Sequence, residues 1–486
     1  MTSSAIWQLA LGLIVVIVMF GLAVGARRTI SIGALLVMIP FQMIDTKYGS
    51  SSVLIAYVLA TALQLSGGLK LRMLPALGAI VLAYSVSFAL ADRSILVYHG
   101  LFLFNFFSCL IVFILAYNFA LMADGERAAM DVLLAINVLT IVYCALQLAV
   151  GPGNRFIPFG IEMFSFNLNR DPSDPRLVGP FDNPGTTAAY FALMSLVCAF
   201  EIMFSSRKRR MFVWCVTGFN LLGLVATGNR AGFLVLLGIA PFLMYAFRKE
   251  LGVKRIITLS ASGAAVLVVA ATIAVTYTDF NRLFFRMDTV TETEGGIPVT
   301  RSEGWPIAVE KIKRHPWFGE GPYFWTAEDA EKIGQSQTEY LPGGALDTAF
   351  DHYPHSLYLY LLRTVGVFGL IAVVGFFVRT WLILYRGKSG AATIDYRAAF
   401  ARLGVILIPT FLISEITLEF HRPSTIDFGQ FIFALMGLLV GMSDRAILPA
   451  GQEIQQPRHV RPVRAAIPAA GHVQTSRASA RSGSGR

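Results

Sequence analysis

The stretch ILVYHGLFLFNFFSCLIVFILAYNFALM, residues 95–122, contains no Asp, Glu, Lys or Arg. As a helix, such a run is long enough to cross the roughly 30 Å hydrocarbon core of a bilayer. The whole chain shares this character, because 55% of its 486 residues are hydrophobic and only 14% are charged. A soluble globular protein needs far more polar surface, so the composition predicts a polytopic membrane protein.

Apolar runs recur along most of the sequence. The first run has no basic residue before it and is longer than the core of a signal peptide, so we interpret it as a membrane helix. The pattern predicts an all-α bundle of about twelve or thirteen transmembrane helices. The predicted spans are 5–25, 30–45, 52–67, 74–91, 95–122, 128–150, 184–204, 211–228, 231–247, 256–277, 355–378, 398–416 and 428–443.

Lysine and arginine collect in the short loops on one side of this predicted bundle, as in RKRR at 207–210 and RKELGVKR at 248–255. That side is predicted to be cytoplasmic, because short cytoplasmic loops carry excess positive charge. The alternation also places the tail, residues 444–486, in the cytoplasm. Its Arg, Pro, Ser, Gly and Ala content is typical of disorder. Attraction to anionic lipid explains much of the net charge of +10 better than nucleic-acid binding does.

Two stretches, residues 151–183 and 278–354, are too long and too polar to be ordinary connections. The alternation of basic and non-basic loops places both outside the cytoplasm. The larger one contains a predicted amphipathic helix that lies over the mouth of the bundle and is ended by Gly319, Gly321 and Pro322. Its apolar face is formed by Trp305, Ala308, Val309 and Ile312. The predicted organisation is helices at 1–150, loop 151–183, helices at 184–277, loop 278–354, helices at 355–443 and the tail.

Four segments, each at a predicted membrane boundary, carry a resemblance to a known family. They are RLVGPFDNPGTTAAYFAL (176–193), ATGNRAGFLVLL (226–237), RSEGWPIAVEKIKRHPWFGEGPYFW (301–325) and HSLYLYLLRTVGVFGL (355–370). In this order they resemble the O-antigen ligase and polymerase superfamily, over about residues 170–380. The sequence departs from the usual family pattern at Gly185, Asn229, Ser356 and Thr364, so these motifs do not assign the acceptor.

The resemblance implies a GT-C-like fold that transfers a glycan from undecaprenyl pyrophosphate to an acceptor, at the outer face of the bacterial inner membrane. Ligases of this superfamily use the lipid A core as acceptor, and polymerases use another lipid-linked repeat. It implies no metal and no nucleotide cofactor. The four cysteines agree with this, since all lie inside predicted spans without metal-ligand spacing.

Departure of undecaprenyl pyrophosphate needs cations that match phosphate geometry, and arginine offers a planar fork of donors. Arg230 opens the ninth predicted span, and Arg301 begins the helix of the large loop. We expect both to neutralise charge on the leaving group as catalytic residues. The alternatives are that Arg230 anchors a helix end at the membrane boundary and that Arg301 is a solvated loop charge.

His355 precedes the eleventh predicted span. We expect its neutral imidazole to accept the proton of an acceptor hydroxyl, or to orient that hydroxyl, for direct attack on the anomeric carbon with inversion. Asp351 and His352 are expected either to orient His355 or to point into water. Arg176, in the smaller loop, is expected to bind sugar or phosphate.

Arg363 lies eight residues after His355, about 12 Å deeper at helical rise. A buried arginine is costly in a membrane, so we expect it to face the bundle interior and to pair, with Glu415 or Glu419 as candidate partners. Glu201 lies near the cytoplasmic end of its span and can be explained as a solvated residue.

We favour a polymerase of exopolysaccharide or O-antigen synthesis, with a lipid A core ligase as the alternative. The expected partners are a lipid-linked oligosaccharide, a glycan or lipid A core acceptor, membrane lipids and other polysaccharide-assembly proteins, with no nucleic acid. A flippase or transporter would have a similar number of helices. Transporters, however, place charges near the midplane and often show internal repeats, whereas here the polar residues collect at one mouth.

Overall fold

The computed structural model consists of helices joined by turns. It describes residues 28–41, 45–46, 49–66, 68–123, 127–150, 176–181, 183–229, 293–294, 297–298, 304–323, 356–387, 396–415 and 426–447, with isolated positions between 232 and 272. The tail predicted to be disordered lies outside these residues, except for its first four positions, which belong to the last helix.

The described helices are α1 (Arg28–Met38), α2 (Ser51–Leu65), α3 (Leu74–Leu90), α4 (Leu96–Met122), α5 (Ala128–Val150), α6 (Pro184–Phe204), α7 (Arg207–Ala226), α8 (Gly304–Arg314), α9 (Leu357–Gly387), α10 (Tyr396–Ser414) and α11 (Ile426–Ile447). Short 3₁₀ turns occur at Arg93–Ile95 and Gly179–Phe181. Two antiparallel pairs of two-residue strands, β1 (Asp45–Thr46) with β2 (Gly49–Ser50) and β3 (Thr293–Glu294) with β4 (Ile297–Pro298), complete the described structure.

The predicted all-α membrane bundle is confirmed. Among the described residues, 6 helices are long and apolar enough to cross a membrane: Arg93–Met122, Ala128–Ala149, Pro184–Phe204, Leu357–Arg386, Tyr396–Ser414 and Ile426–Arg445. Shorter apolar helices are formed by α1, α2 and α3. The predicted spans 30–45 to 211–228 and 355–378 to 428–443 each coincide with a helix. The span at 5–25 lies outside the described residues, and those at 231–247 and 256–277 lie largely outside them.

The predicted end of the span at 355–378 is wrong, because α9 continues beyond residue 378 through Arg379 and Arg386 to Gly387. The physical reason is that long arginine side chains can keep the helical backbone at the membrane boundary while their charged ends reach water. A basic residue therefore does not have to mark the end of the helix.

The centre of the bundle is α11, whose membrane-spanning window is entirely buried. It runs beside α4, and two glycines one turn apart bring the backbones close together. A Cβ on Gly437 would lie 2.9 Å from the Cβ of Ala116, and one on Gly441 would lie 2.7 Å from the carbonyl oxygen of Tyr117. Such small residues allow the close packing by which helices associate in a membrane, where burial from water no longer drives contact.

Basic side chains meet at one end of the bundle, which we call the basic end. There Arg72 pairs with Asp444 at 3.1 Å, and Arg445 donates to the carbonyls of Ala120 and Ala123. Arg127 donates to the carbonyl of Phe204 at 2.7 Å. The ends of α4, α6 and α11 therefore lie on the same side, as the alternation of basic loops predicts.

The interpretation of Glu201 as a solvated residue is wrong. Its side chain is fully buried at the basic end and accepts from Arg127 Nη1 at 3.0 Å, from Arg209 Nε at 2.5 Å and from the Tyr396 hydroxyl at 2.6 Å. Two guanidinium groups offset the cost of burying the carboxylate. The carboxylate thereby joins α6, α7 and α10, together with the turn before α5.

Candidate functional site

The candidate site is built around an interruption of α9. Gly366 has φ 67° and ψ −168°, so the helix is broken there although both halves continue in sequence. The expected helical rise from His355 to Arg363 comes before this break, and its starting point, His355, lies outside the described residues. The break lies a few residues after Arg363 and exposes backbone groups that a helix would pair internally.

A segment of the large loop, residues 315–323, pairs with this break, and we call it the docking segment. The backbone N–H groups of Glu320 and Gly321 donate to the carbonyls of Arg363 and Thr364 at 3.0 and 3.1 Å. In return, the N–H groups of Val367 and Phe368 donate to residues 316 and 317 at 2.9 and 3.3 Å. Buried backbone groups need such partners, so the loop completes the hydrogen bonding of the broken helix.

Glycines on both sides make this close approach possible. Gly319 and Gly366 have φ values of 70° and 67°, which L side chains rarely adopt. A Cβ on Gly366 would collide with the backbone of Trp317, and one on Gly319 would collide with the backbone of Thr364. The two backbones can therefore approach each other this closely only because neither glycine carries a Cβ.

We expect Gly366→Ala to destabilise the docked segment by about 2–3 kcal/mol, because alanine adds backbone strain and a collision at the same position. The measurement is the rate of tryptic cleavage after Arg314 together with the thermal unfolding midpoint in detergent. Gly375→Ala is the matched control, since a Cβ at this position of the same helix meets nothing within 4 Å. Equal behaviour of the two variants would contradict this account of the break.

The helix before the docking segment is confirmed as α8, but its end is predicted wrongly. It ends at Arg314, ahead of Pro316, and not at the glycines. Proline disfavours helical backbone in the residue before it, which explains the earlier end. On the predicted apolar face Ala308 is buried, whereas Val309 is 40% exposed.

Arg363 faces the bundle interior and pairs, as expected, and Glu320 of the docking segment is one of its partners; Glu419 lies outside the described residues. The Arg363 side chain is only 3% exposed, and its Nε lies 3.8 Å from Glu320 Oε2. Lys311 Nζ lies 3.6 Å from the same oxygen. Glu415, one of the two partners considered from the sequence, accepts through its backbone carbonyl from the N–H of Leu357 at 2.9 Å.

A cavity of about 610 Å³ opens between the docking segment and the junction of α3 with α4. It is lined by carboxylates, cations and aromatic rings, including Asp92, Glu320, Arg314, His315 and Trp317. Trp317 is 59% exposed and lies at 6.0 Å from Phe368, ring centroid to centroid. Polar groups of both kinds beside an exposed aromatic face can bind a ligand that carries hydroxyls and an apolar ring face.

The carboxyl group of Asp92 has a lowered pKa, because the backbone N–H and the hydroxyl of Ser94 both donate to it. Hydrogen bonds to the charged form of a carboxyl group favour that form. Asp92 therefore contributes an ionised carboxylate to the cavity at neutral pH.

His99, another residue that lines the cavity, was not among the site residues predicted from the sequence. Its Nδ1 accepts from the backbone N–H of Tyr323 at 2.9 Å, so the neutral ring carries its proton on Nε2. The ring also meets Tyr323 edge-on at 6.1 Å. A Cβ on Gly321 would collide with this imidazole. His99 thus holds the far end of the docking segment, and its place in an otherwise apolar span was the available signal.

Arg176 lies where the first two sequence motifs meet. The N–H of Leu177 donates to the carbonyl of Ala226 at 2.9 Å, and a Cβ on Gly228 would lie 3.3 Å from Arg176 Cδ. The motif at 176–193 also has a local role, since the Asn183 side chain accepts from the first N–H groups of α6. These contacts bring Arg176 beside the turn that leads to position 230.

The remaining site predictions fall outside the described residues, namely Arg230, Arg301, Asp351, His352 and His355. Their described neighbours are informative. Asn229 follows the end of α7, and Ser356 precedes α9, where Leu357 meets the end of α10. Helices α7 and α10 both start at the basic end, where Arg209 and Tyr396 contact Glu201. Asn229 and Ser356 lie beside the other ends of these helices, and therefore at the opposite end of the bundle. The docking segment lies at this end too, since it reaches α4 at His99.

The fold and the cavity define a multi-pass helical membrane protein with a polar and aromatic site at one end of the bundle. A family model described as O-antigen ligase matches residues 215–374. This match supports the O-antigen ligase and polymerase superfamily, whose members act on polysaccharides. The matched region contains both the docking segment and the break in α9. No curated protein matches the chain.

Proposed function

We propose that the protein is an inverting membrane glycosyltransferase that transfers a glycan from undecaprenyl pyrophosphate to an acceptor hydroxyl in cell-surface polysaccharide synthesis. The observation that carries the proposal is the family match over a region that builds a polar and aromatic cavity at the end away from the basic residues. The positive-inside rule then makes this the outer end in a bacterial inner membrane.

In this proposal, Arg230 and Arg301 hold the pyrophosphate, and His355 accepts or orients the acceptor hydroxyl. Arg176, beside the turn that precedes position 230, adds a further cation for sugar or phosphate. Arg363 contributes by fixing Glu320 in the cavity wall. Asp351 and His352 remain predicted neighbours of His355. The sugar binds in the cavity, where carboxylates accept from hydroxyls and Trp317 offers a face for stacking.

The polymerase of an exopolysaccharide or O-antigen remains the favoured reaction, and the lipid A core ligase is the second candidate. Analysis of surface polysaccharide in a deletion strain separates them. Single repeats left on lipid mean a polymerase, whereas long unattached chains on undecaprenyl pyrophosphate mean a ligase. Unchanged chain length together with unchanged attachment would argue against both.

Replacing Arg230 or Arg301 by lysine is expected to lower transfer at least about tenfold, because lysine keeps the charge but loses the forked donors. The measurement is in vitro transfer from a lipid-linked donor by purified, folded protein. Arg207→Lys at the basic end is the control and should retain full activity. Wild-type rates for both site variants would favour an anchoring or surface role.

Transfer should also persist in the presence of a metal chelator.

A further inference from the structure

A second cavity, of about 530 Å³, lies at the basic end. Its wall combines three arginines, Arg72, Arg379 and Arg386, with Asp444 and several apolar side chains. Helix α3 separates it from the first cavity, because Leu74 lines one and Leu90 lines the other. The 17 residues of α3 span about 25 Å, so the two cavities are different sites.

The charges in this cavity are only partly compensated. Arg72 pairs with Asp444 through contacts of 3.1 and 3.3 Å. Within the described part of the chain, neither Arg379 nor Arg386 has a hydrogen bond or an ion pair. The pair of Arg72 and Asp444 is neutral overall, so the cavity wall keeps the two positive charges of α9.

The two uncompensated arginines lie on the same face of α9. They are seven residues apart, which corresponds to about two helical turns, and Ile383 lies between them in the cavity wall. The membrane-spanning part of α9 ends at Arg386. Arg386 is therefore placed at the level where a bilayer changes from hydrocarbon to headgroup, and the long side chain of Arg379 can extend toward the same level.

An exposed apolar surface adjoins these charges. Leu71 and Leu74 line the cavity and are 50% and 55% exposed. Met73, between them, has the left-handed backbone conformation at φ 61° and begins α3. The chain turns there and presents leucines on both sides of the turn. A free phosphate ion has no apolar part that could cover these leucines, whereas a phospholipid has both a charged headgroup and acyl chains.

We propose that this cavity binds an anionic phospholipid. Arg379 and Arg386 donate forked hydrogen bonds to the headgroup phosphate, and the acyl chains lie along Leu71 and Leu74. Arginine suits this role because its planar donors match phosphate oxygens. Basic pockets between helices on the cytoplasmic side of a membrane are known to bind such headgroups.

The test uses the full-length protein in neutral detergent, titrated with phosphatidylglycerol, and the readouts are native mass spectrometry and the thermal unfolding midpoint. We expect Arg379→Gln with Arg386→Gln to weaken binding at least about tenfold and to remove most of the thermal shift. Arg207→Gln with Lys208→Gln is the control, since it removes two exposed positive charges of the basic end that do not line the cavity. Equal binding by the two double variants would overturn the proposal.

Three further arms identify the ligand chemistry. Phosphatidylcholine should bind more weakly than phosphatidylglycerol, and a result in which both bind equally would contradict recognition of negative charge. Glycerol phosphate should produce no comparable shift, and equal binding would mean a free-phosphate site instead.

Arg379→Lys with Arg386→Lys should also weaken binding, because the fork is lost while the charge and the solubility are kept. Full binding by this variant would overturn the assignment of forked contacts. None of these readouts depends on glycan transfer.

Discussion

Replacing His355 by alanine is expected to lower the rate of glycan transfer by about 10²–10⁴-fold, the range for removal of a general base. An unperturbed imidazole has a pKa of about 6.5, so it is largely neutral and able to accept a proton at neutral pH. The described residue after it, Ser356, lies where the start of α9 meets Glu415. That is the end of the bundle at which the docking segment also lies.

His355→Gln separates the two roles considered for this residue. Glutamine can orient a hydroxyl by hydrogen bonding but cannot take its proton at neutral pH. A loss as large as that of the alanine variant supports proton transfer, and near-normal activity supports orientation alone. Each variant has to be shown inserted and folded before its rate is measured. Wild-type activity of both variants would remove His355 from the mechanism.

Glu201→Ala is expected to lower the free energy of unfolding by about 3–5 kcal/mol, as for removal of one partner of a buried ion pair. The carboxylate is fully buried, and its removal leaves Arg127, Arg209 and Tyr396 without their shared acceptor. The side chains of Arg127 and Arg209 are 33% and 27% exposed, so water can partly replace the lost partner and the lower end of the range is expected.

The unfolding of purified protein in detergent measures this effect, and Asp131→Asn provides the matched control. Asp131 pairs with the same arginine, Arg209, at 2.7 Å, but its side chain is 56% exposed. An exposed ion pair contributes at most about 1 kcal/mol, so the control should change little. Similar losses in the two variants would show that burial of Glu201 is not the source of its effect.

Most of the membrane architecture can be predicted from the sequence, because a bilayer sets the length and polarity of each span locally. The described spans agree with the apolar runs, and the arginines of separate loops meet at one end as their alternation predicts. The family that the four motifs resemble is likewise supported by the match over residues 215–374, which contains three of them. Predictions of this kind depend on composition within one window of the chain, and distant contacts hardly change them.

The contacts that build the site depend on residues far apart in sequence. A glycine in an apolar run does not reveal whether it breaks the helix, and Gly366 does so because the docking segment supplies backbone partners. Arg363 could pair with any nearby carboxylate, and the approach of that segment brings Glu320 to 3.8 Å from it. Glu201 is buried because arginines from two other elements reach it. Each outcome depends on close packing and on the need of buried polar groups for partners, and both are properties of the assembled bundle.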